Sequence, residues 1–190
     1  IISNLIKDFD NIVIVGGMGN AMLKNTGVDI GKSVCDEGYK DLVQEILKKS
    51  KTHNCQIYYP LDVVVSKTLD GKGMIKEINE VNNDEMILDI GPKTITSIKN
   101  IIEKSNTVLW NGPAGYFENP NFANGTKKIL EIIADKKAKN KIYAVAGGGE
   151  TVAVINKFKK LESFNFVSTA GGAFLEYLEG KELPGIRALN

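Results

Sequence analysis

Along this chain a short apolar run repeatedly enters a turn rich in glycine or proline and then a helix-like stretch. Ile12-Val13-Ile14-Val15 runs into Gly16-Gly17, Met86-Ile87-Leu88-Asp89-Ile90 into Gly91-Pro92, and Thr107-Val108-Leu109-Trp110 into Asn111-Gly112-Pro113. Ile142-Tyr143-Ala144-Val145-Ala146 runs into Gly147-Gly148-Gly149, and Phe164-Asn165-Phe166-Val167 into Ser168-Thr169-Ala170-Gly171-Gly172. The runs are continuously apolar rather than alternating, as expected of strands covered on both faces. Between them Leu42, Val43, Ile46 and Leu47 share one helical face, as do Ile95, Ile98, Ile101 and Ile102. Ile129, Ile132 and Ile133 mark a third face, and Val152, Ile155 and Phe158 a fourth.

Strand and helix in alternation imply a parallel sheet with right-handed crossovers and helices on both sides. The fold expected is Rossmann-like, doubly wound α/β, with a mainly parallel sheet of about six strands. Asp62–Ser66 and Met74–Glu77, flanking Asp70-Gly71-Lys72-Gly73, read as a β-hairpin excursion. With 190 residues and no linker, low-complexity tract or fixed-period repeat, the chain reads as one domain, 1–190.

Charge narrows the function classes. The 24 basic and 23 acidic residues give a net charge of +1, which argues against nucleic acid as a partner. The lysines of Lys136-Lys137-Ala138-Lys139-Asn140-Lys141 read as a solvated helix end near the negative pole of its dipole. Two cysteines, Cys35 and Cys55, without a CxxC pair point to a reduced, cytoplasmic compartment. His53, the only histidine, reads as a surface residue at a helix exit. No apolar run approaches the ~20 residues of a membrane span, so no membrane partner is expected. The start, Ile1-Ile2-Ser3-Asn4-Leu5-Ile6, is not a signal peptide and reads as the middle of a helix begun upstream. The chain is expected to be a monomer.

Ligands of parallel α/β sheets bind beyond the carboxyl ends of the strands, where the Gly-rich turns gather. Glycine there lets a phosphate approach backbone N–H groups, and a helix starting at the turn adds unpaired N–H groups and its positive dipole end. The turns Gly16-Gly17, Gly147-Gly148-Gly149 and Gly171-Gly172 together point to a nucleotide. Two familiar motifs fail. Gly27-Val28-Asp29-Ile30-Gly31-Lys32-Ser33 has one residue too few between its glycines for a P-loop and lacks a preceding strand. Gly17-Met18-Gly19-Asn20-Ala21-Met22 puts Met22 where a dinucleotide fingerprint needs glycine.

Two segments carry more specific chemistry. Trp110 to Glu118 offers an amide, a rigid turn, aromatic side chains and a carboxylate, a mixed surface suited to adenosine. The alternative reading is a buried aromatic turn with Glu118 opening the next helix. Gly147-Gly148-Gly149-Glu150-Thr151 puts an acid and a hydroxyl at a helix start. Glu150 could ligate Mg²⁺ on phosphates, or simply complement the helix dipole.

Leu88-Asp89-Ile90-Gly91-Pro92, Trp110-Asn111-Gly112-Pro113 through Phe117-Glu118, and Gly147-Gly148-Gly149 with Thr151 resemble the phosphoglycerate kinase family in order and spacing. Ser168-Thr169 with Gly171-Gly172-Ala173, and Leu175-Glu176 to Leu183-Pro184-Gly185, extend the resemblance over essentially the whole chain. The resemblance implies the C-terminal, nucleotide-binding half of a two-domain kinase of glycolysis. The N-terminal half would hold 3-phosphoglycerate or 1,3-bisphosphoglycerate, and this half MgATP or MgADP. Gly16, Gly17, Val34, Leu88 and Pro113 would line the adenine pocket, with Tyr116 beside them. Glu118 would bind the ribose hydroxyls, and Asn111 would approach the ribose or phosphates. Gly148 and Gly149 would offer N–H groups to the transferring phosphoryl, flanked by Gly147 and Thr151, and the helix opening at Gly171-Gly172 would face the same charge.

Three positions depart from the family pattern. Glu150 stands where a magnesium-binding Asp is usual, Ala170 replaces a glycine of the Ser-Thr-Gly-Gly-Gly run, and Val15 replaces the first glycine of an opening triple, reading as strand extension. The substrate domain and a lysine-bearing phosphate-contacting segment are absent from these residues, so weak nucleotide binding and no turnover are expected of the chain alone. The rival expectations are a non-catalytic ATP/ADP-binding module and a dinucleotide-dependent oxidoreductase.

Overall fold

A computed structural model describes residues 2–188. The elements in order are α1 (Ile2–Leu5), β1 (Asn11–Val13), α2 (Gly16–Asn25), α3 (Tyr39–Thr52), β2 (Gln56–Tyr58), β3 (Asp62–Ser66), β4 (Met74–Glu77) and β5 (Met86–Ile90). There follow α4 (Pro92–Lys104), β6 (Thr107–Asn111), α5 (Asn124–Ala138), β7 (Tyr143–Gly147), α6 (Gly149–Lys157), β8 (Phe166–Val167), α7 (Gly172–Leu178) and α8 (Pro184–Arg187). Each apolar run becomes a strand and each amphipathic stretch a helix. The mixed α/β architecture with parallel strands matches the expected class.

Among the described residues the strands form three sheets. β1 pairs in parallel with β2, and β6, β7 and β8 form a second parallel sheet in that order. The expected hairpin forms as β3 and β4, which pair antiparallel. β5 joins this excursion: it pairs antiparallel with β3, with a register shift between Val64 and Val65, and not with a parallel neighbour. A continuously apolar run reports burial on both faces and carries no sign of direction. β2, three residues long, is too short for its pattern to have marked it.

The largest core cluster lies around β6 and β7. Ile98 and Ile102 of α4, Ile129 and Ile133 of α5, and Val154 and Ile155 of α6 pack with Trp110, Ala144 and Ala146. Val13 and Val15 pack against the same cluster, which brings the end of β1 beside this ladder. A second cluster joins Ile14, Ala21 and Met22 to Val43 and Ile46 of α3, and a third joins Leu23 to Val63 and Val65.

Buried carboxylates set where two helices begin. Asp62 accepts from the N–H groups of Lys93 (2.9 Å) and Thr94 (2.8 Å), capping α4 from the neighbouring strand. Asp89 accepts from the N–H of Gly125 at 2.7 Å in the first turn of α5, and from its neighbour Ile90 at 2.8 Å. Of the lysine run, Lys136 is not simply solvated. Its Nζ donates to the carbonyls of Ile102 (2.6 Å), Glu103 (2.8 Å) and Ser105, closing the end of α4. Among the described residues no helix is long and apolar enough to cross a membrane.

Candidate functional site

β6 and β7 run parallel and in register, so Asn111 pairs with Gly147 and both turns leave the sheet at one edge. Beyond that edge an open cleft of about 270 Å³ is lined by Asn111, Gly112, Gly148, Gly149, Glu150, Thr151, Gly171, Gly172 and Leu175. Gly148 caps α6 at φ 92°, ψ 142°, a backbone state nearly closed to residues with a Cβ. The first N–H of α6 that returns to the preceding carbonyls is that of Val152, bonded to Gly148 O at 3.0 Å. The N–H groups of Gly149, Glu150 and Thr151 therefore lack intrahelical partners, and the positive end of the helix dipole faces the cleft. The fully buried Thr151 ties the cleft together, its Oγ1 accepting from the Gly112 N–H at 2.6 Å. Leu175 supplies an apolar wall.

The turn after β6 continues from Gly112 of the cleft into Pro113, which lies near the start of α2. A Cβ placed on Gly16 would lie 3.7 Å from Pro113 O, and one on Gly17 would lie 3.9 Å from Val34 Cγ1. Gly16 and Gly17, opening α2, thus lie close to Pro113 and Val34 respectively. The Val34 side chain is 75% exposed, and its backbone is held by the buried Asn20, whose Nδ2 donates to Val34 O at 3.0 Å. The N–H of Tyr116 donates to Leu88 O at 2.7 Å, laying residues 113–116 over the end of β5. Gly115 presses so closely on Leu88 O and Asp89 that a Cβ there would collide. Ala114 N–H donates to the buried Thr126 Oγ1 at 3.0 Å, anchoring the same stretch to α5. Burial beneath this stretch pushes the Asp89 carboxyl up to about 6, against the lowering effect of its bonds from Gly125 and Ile90.

Seven of the residues singled out in the sequence, Asn111, Gly148, Gly149, Glu150, Thr151, Gly171 and Gly172, line one cleft. Of the others, Gly16 lies near Pro113, Gly17 near Val34, and Tyr116 is bonded to Leu88. Two fall outside both groups. Gly147 is buried, and its missing Cβ makes room for the Phe174 ring. Glu118 is exposed further along the segment. It opens no helix: the 3₁₀ turn Pro120–Phe122 that follows is capped by Asn119. Sequence reasoning passed over Gly112, Leu175, Asn20 and Asp89. The last two left a trace, an amide among apolar helix residues and an acid within an apolar strand, each needing buried partners.

The departures also find places. Val15 does not extend β1 but caps α2 in extended backbone. Ala170 is exposed, and its N–H donates to Ser168 Oγ at 3.3 Å. Glu150 is exposed in the first turn of α6. The P-loop-like segment follows α2 rather than a strand, and its Gly31 N–H is taken by Asp29 Oδ1 at 2.9 Å. Among the described residues no group of three or more His, Cys, Asp or Glu gathers as a metal site. The polar groups the cleft presents are the unpaired N–H groups at the start of α6 and the exposed Glu150 carboxylate.

Comparison with known proteins bears on the family and the fold. The family model described as phosphoglycerate kinase matches residues 1–181. The phosphoglycerate kinase of Zymomonas mobilis is 43% identical over 100% of this chain and 48% of that protein. That of Xanthobacter flavus is 41% identical with the same coverage, 100% and 48%. The structure of phosphoglycerate kinase from Coxiella burnetii superposes with a TM-score of 0.91 at 38% identity, covering 100% of this chain and 48% of that one. The crystal structure of phosphoglycerate kinase from Pyrococcus horikoshii gives a TM-score of 0.80 at 28% identity, covering 99% and 47%. The chain spans about half the length of the curated relatives it matches.

Proposed function

The chain belongs to the phosphoglycerate kinase family, and from that premise we propose that its 190 residues form a single domain, the nucleotide-binding part of such a kinase. The whole enzyme would move a phosphoryl group between 1,3-bisphosphoglycerate and ADP in glycolysis, in the cytoplasm and as a monomer. The observation that carries this reading is the cleft itself, rich in unpaired N–H groups at Gly149–Thr151, with Gly16 near Pro113 and Gly17 near Val34.

Adenine would lie in the slot between Val34 and Pro113, against Leu88 and Tyr116. The phosphates would follow Asn111 and Gly112 into the cleft, and Glu118 would take the ribose hydroxyls. Phosphoryl transfer depends chiefly on positioning and on neutralising charge spread over the equatorial oxygens. Gly148 and Gly149 would supply backbone N–H groups at fixed positions, so no reorganisation is needed as charge shifts. Thr151, bonded to Gly112, holds the two turns at constant separation. Glu150 fits a magnesium role, since Mg²⁺ takes one or two carboxylates together with phosphate oxygens. When bound, the ion would neutralise phosphate charge. The acyl-phosphate substrate would be presented by the other half of the enzyme, so the chain alone is proposed to turn over nothing.

Calorimetry of the chain with ADP, MgADP and NAD tests the reading. ADP should bind weakly and Mg²⁺ should strengthen it, with most of that increment lost in Glu150→Gln. NAD binding tighter than ADP would overturn the assignment in favour of a dinucleotide enzyme. ATP consumption dependent on 3-phosphoglycerate would overturn the proposed lack of turnover.

A further inference from the structure

α6 touches the segment 111–118 at both ends. At its start Thr151 Oγ1 accepts from Gly112, and in its last turn Lys157 Nζ donates to the Phe117 carbonyl at 2.9 Å. The two helix residues making these contacts are six positions apart, about 9 Å along the axis. The Lys157 ammonium also lies 5.6 Å from the centroid of the Phe117 ring, within cation–π range. That ring is buried, 7% exposed, in the main core.

Both neighbours of Glu118 are pinned. Phe117 is held by its ring, by its N–H to Gly115 O at 2.9 Å, and by Lys157. Asn119 is held by its N–H to Tyr116 O at 3.2 Å and its Nδ2 to Leu69 O at 2.8 Å. Because the peptide joining Phe117 to Glu118 is planar, fixing the carbonyl of one fixes the direction in which the other leaves. Glu118 is thus an exposed carboxylate on a rigid mount.

We propose that Lys157 is a positioning residue: from the far end of α6 it fixes the Phe117–Glu118 peptide and so aims the Glu118 carboxylate at the ribose hydroxyls of a nucleotide held at the start of the same helix. This rests on the nucleotide reading above and adds that one helix gauges the distance between phosphate and ribose.

The test is a titration of the 190-residue chain, followed by amide NMR shifts, with ADP and with 2′,3′-dideoxy-ADP. Lys157→Met keeps the stem and removes the ammonium. It should weaken ADP about tenfold, the scale of one charge-assisted hydrogen bond, and leave dideoxy-ADP unchanged. Glu118→Gln should show the same selective loss, and the double variant no further loss. Lys157→Arg, which keeps a donor near the carbonyl, should restore ADP affinity, and it carries the test should the Met variant unfold. Equal loss for both nucleotides, additive losses in the double variant, or no loss would overturn the proposal. Wild-type chain that binds neither nucleotide would overturn the nucleotide reading itself, and the Lys157 role with it.

Discussion

At Gly148 the requirement for glycine is double: the backbone sits at φ 92°, and a Cβ there would lie 2.5 Å from Asn111 Oδ1. Gly148→Ala should therefore cost about 1–3 kcal/mol of stability from backbone strain alone. It should also weaken ADP binding, because relief requires moving either the start of α6 or Asn111. Denaturant unfolding with parallel ADP titration checks this, and an alanine variant matching wild type in both would show that the turn adapts. The neighbouring Gly147 shows the limit of what the sequence discloses at this scale. It stands in the same triple but is buried beneath the Phe174 ring. Conformational freedom and close packing demand the same residue type, so a row of glycines cannot say which of them faces a ligand.

Among the elements, burial was legible and direction was not. The apolar runs located β1 and β5 to β8, and the helical faces located α3 to α6. Whether β5 joined a parallel ladder or the hairpin depended on partners more than twenty positions away, which local pattern does not encode (Val63 pairs with Ile90). The irregular stretch carrying Val34 was legible only through resemblance, because no periodicity marks it. Tertiary bonds hold it: Lys32 N–H donates to Glu85 O at 2.8 Å, Ser33 Oγ accepts from Ile87 at 2.7 Å, and Asn20 of α2 reaches Val34 O at 3.0 Å. Asn20 thus ties α2, which opens at Gly16 and Gly17, to Val34. Asn20→Ala should lose about 1 kcal/mol of stability, since it removes the donor to a part-buried carbonyl. It should weaken ADP while leaving pyrophosphate, which uses only the cleft, unchanged. Equal weakening of both would mean that the helix, and not the slot, had been disturbed.

For the molecule as a whole, Asp89 is the junction at which β5, α5 and the 113–116 segment meet, and its protonation is coupled to folding. Its carboxyl titrates at about 6 in the folded chain, against 3.8 for an ordinary aspartate, because burial disfavours the charge. A raised carboxylate pKa means that the folded state binds the proton more tightly than the unfolded state. As pH falls from 7 through 6 toward 4, folding takes up a proton at this site and stability rises. The full swing is on the order of 3 kcal/mol for a shift of about two units. Glu85 acts in the opposite sense. The N–H of Asn82 and the Lys76 ammonium hold its carboxyl below the ordinary 4.5, so its contribution is lost only at more acid pH. Between the two lies a window, about pH 7 down to 5, in which Asp89 sets the slope. Denaturant midpoints across that window should rise with acidity in the wild type and stay flat in Asp89→Asn, and the Asp89 carboxyl ¹³C shift should titrate near 6. A carboxyl titrating well below the ordinary 3.8 would mean that its two N–H bonds outweigh burial. The buried charge would then be a net support for the 113–116 segment rather than a strain beneath it.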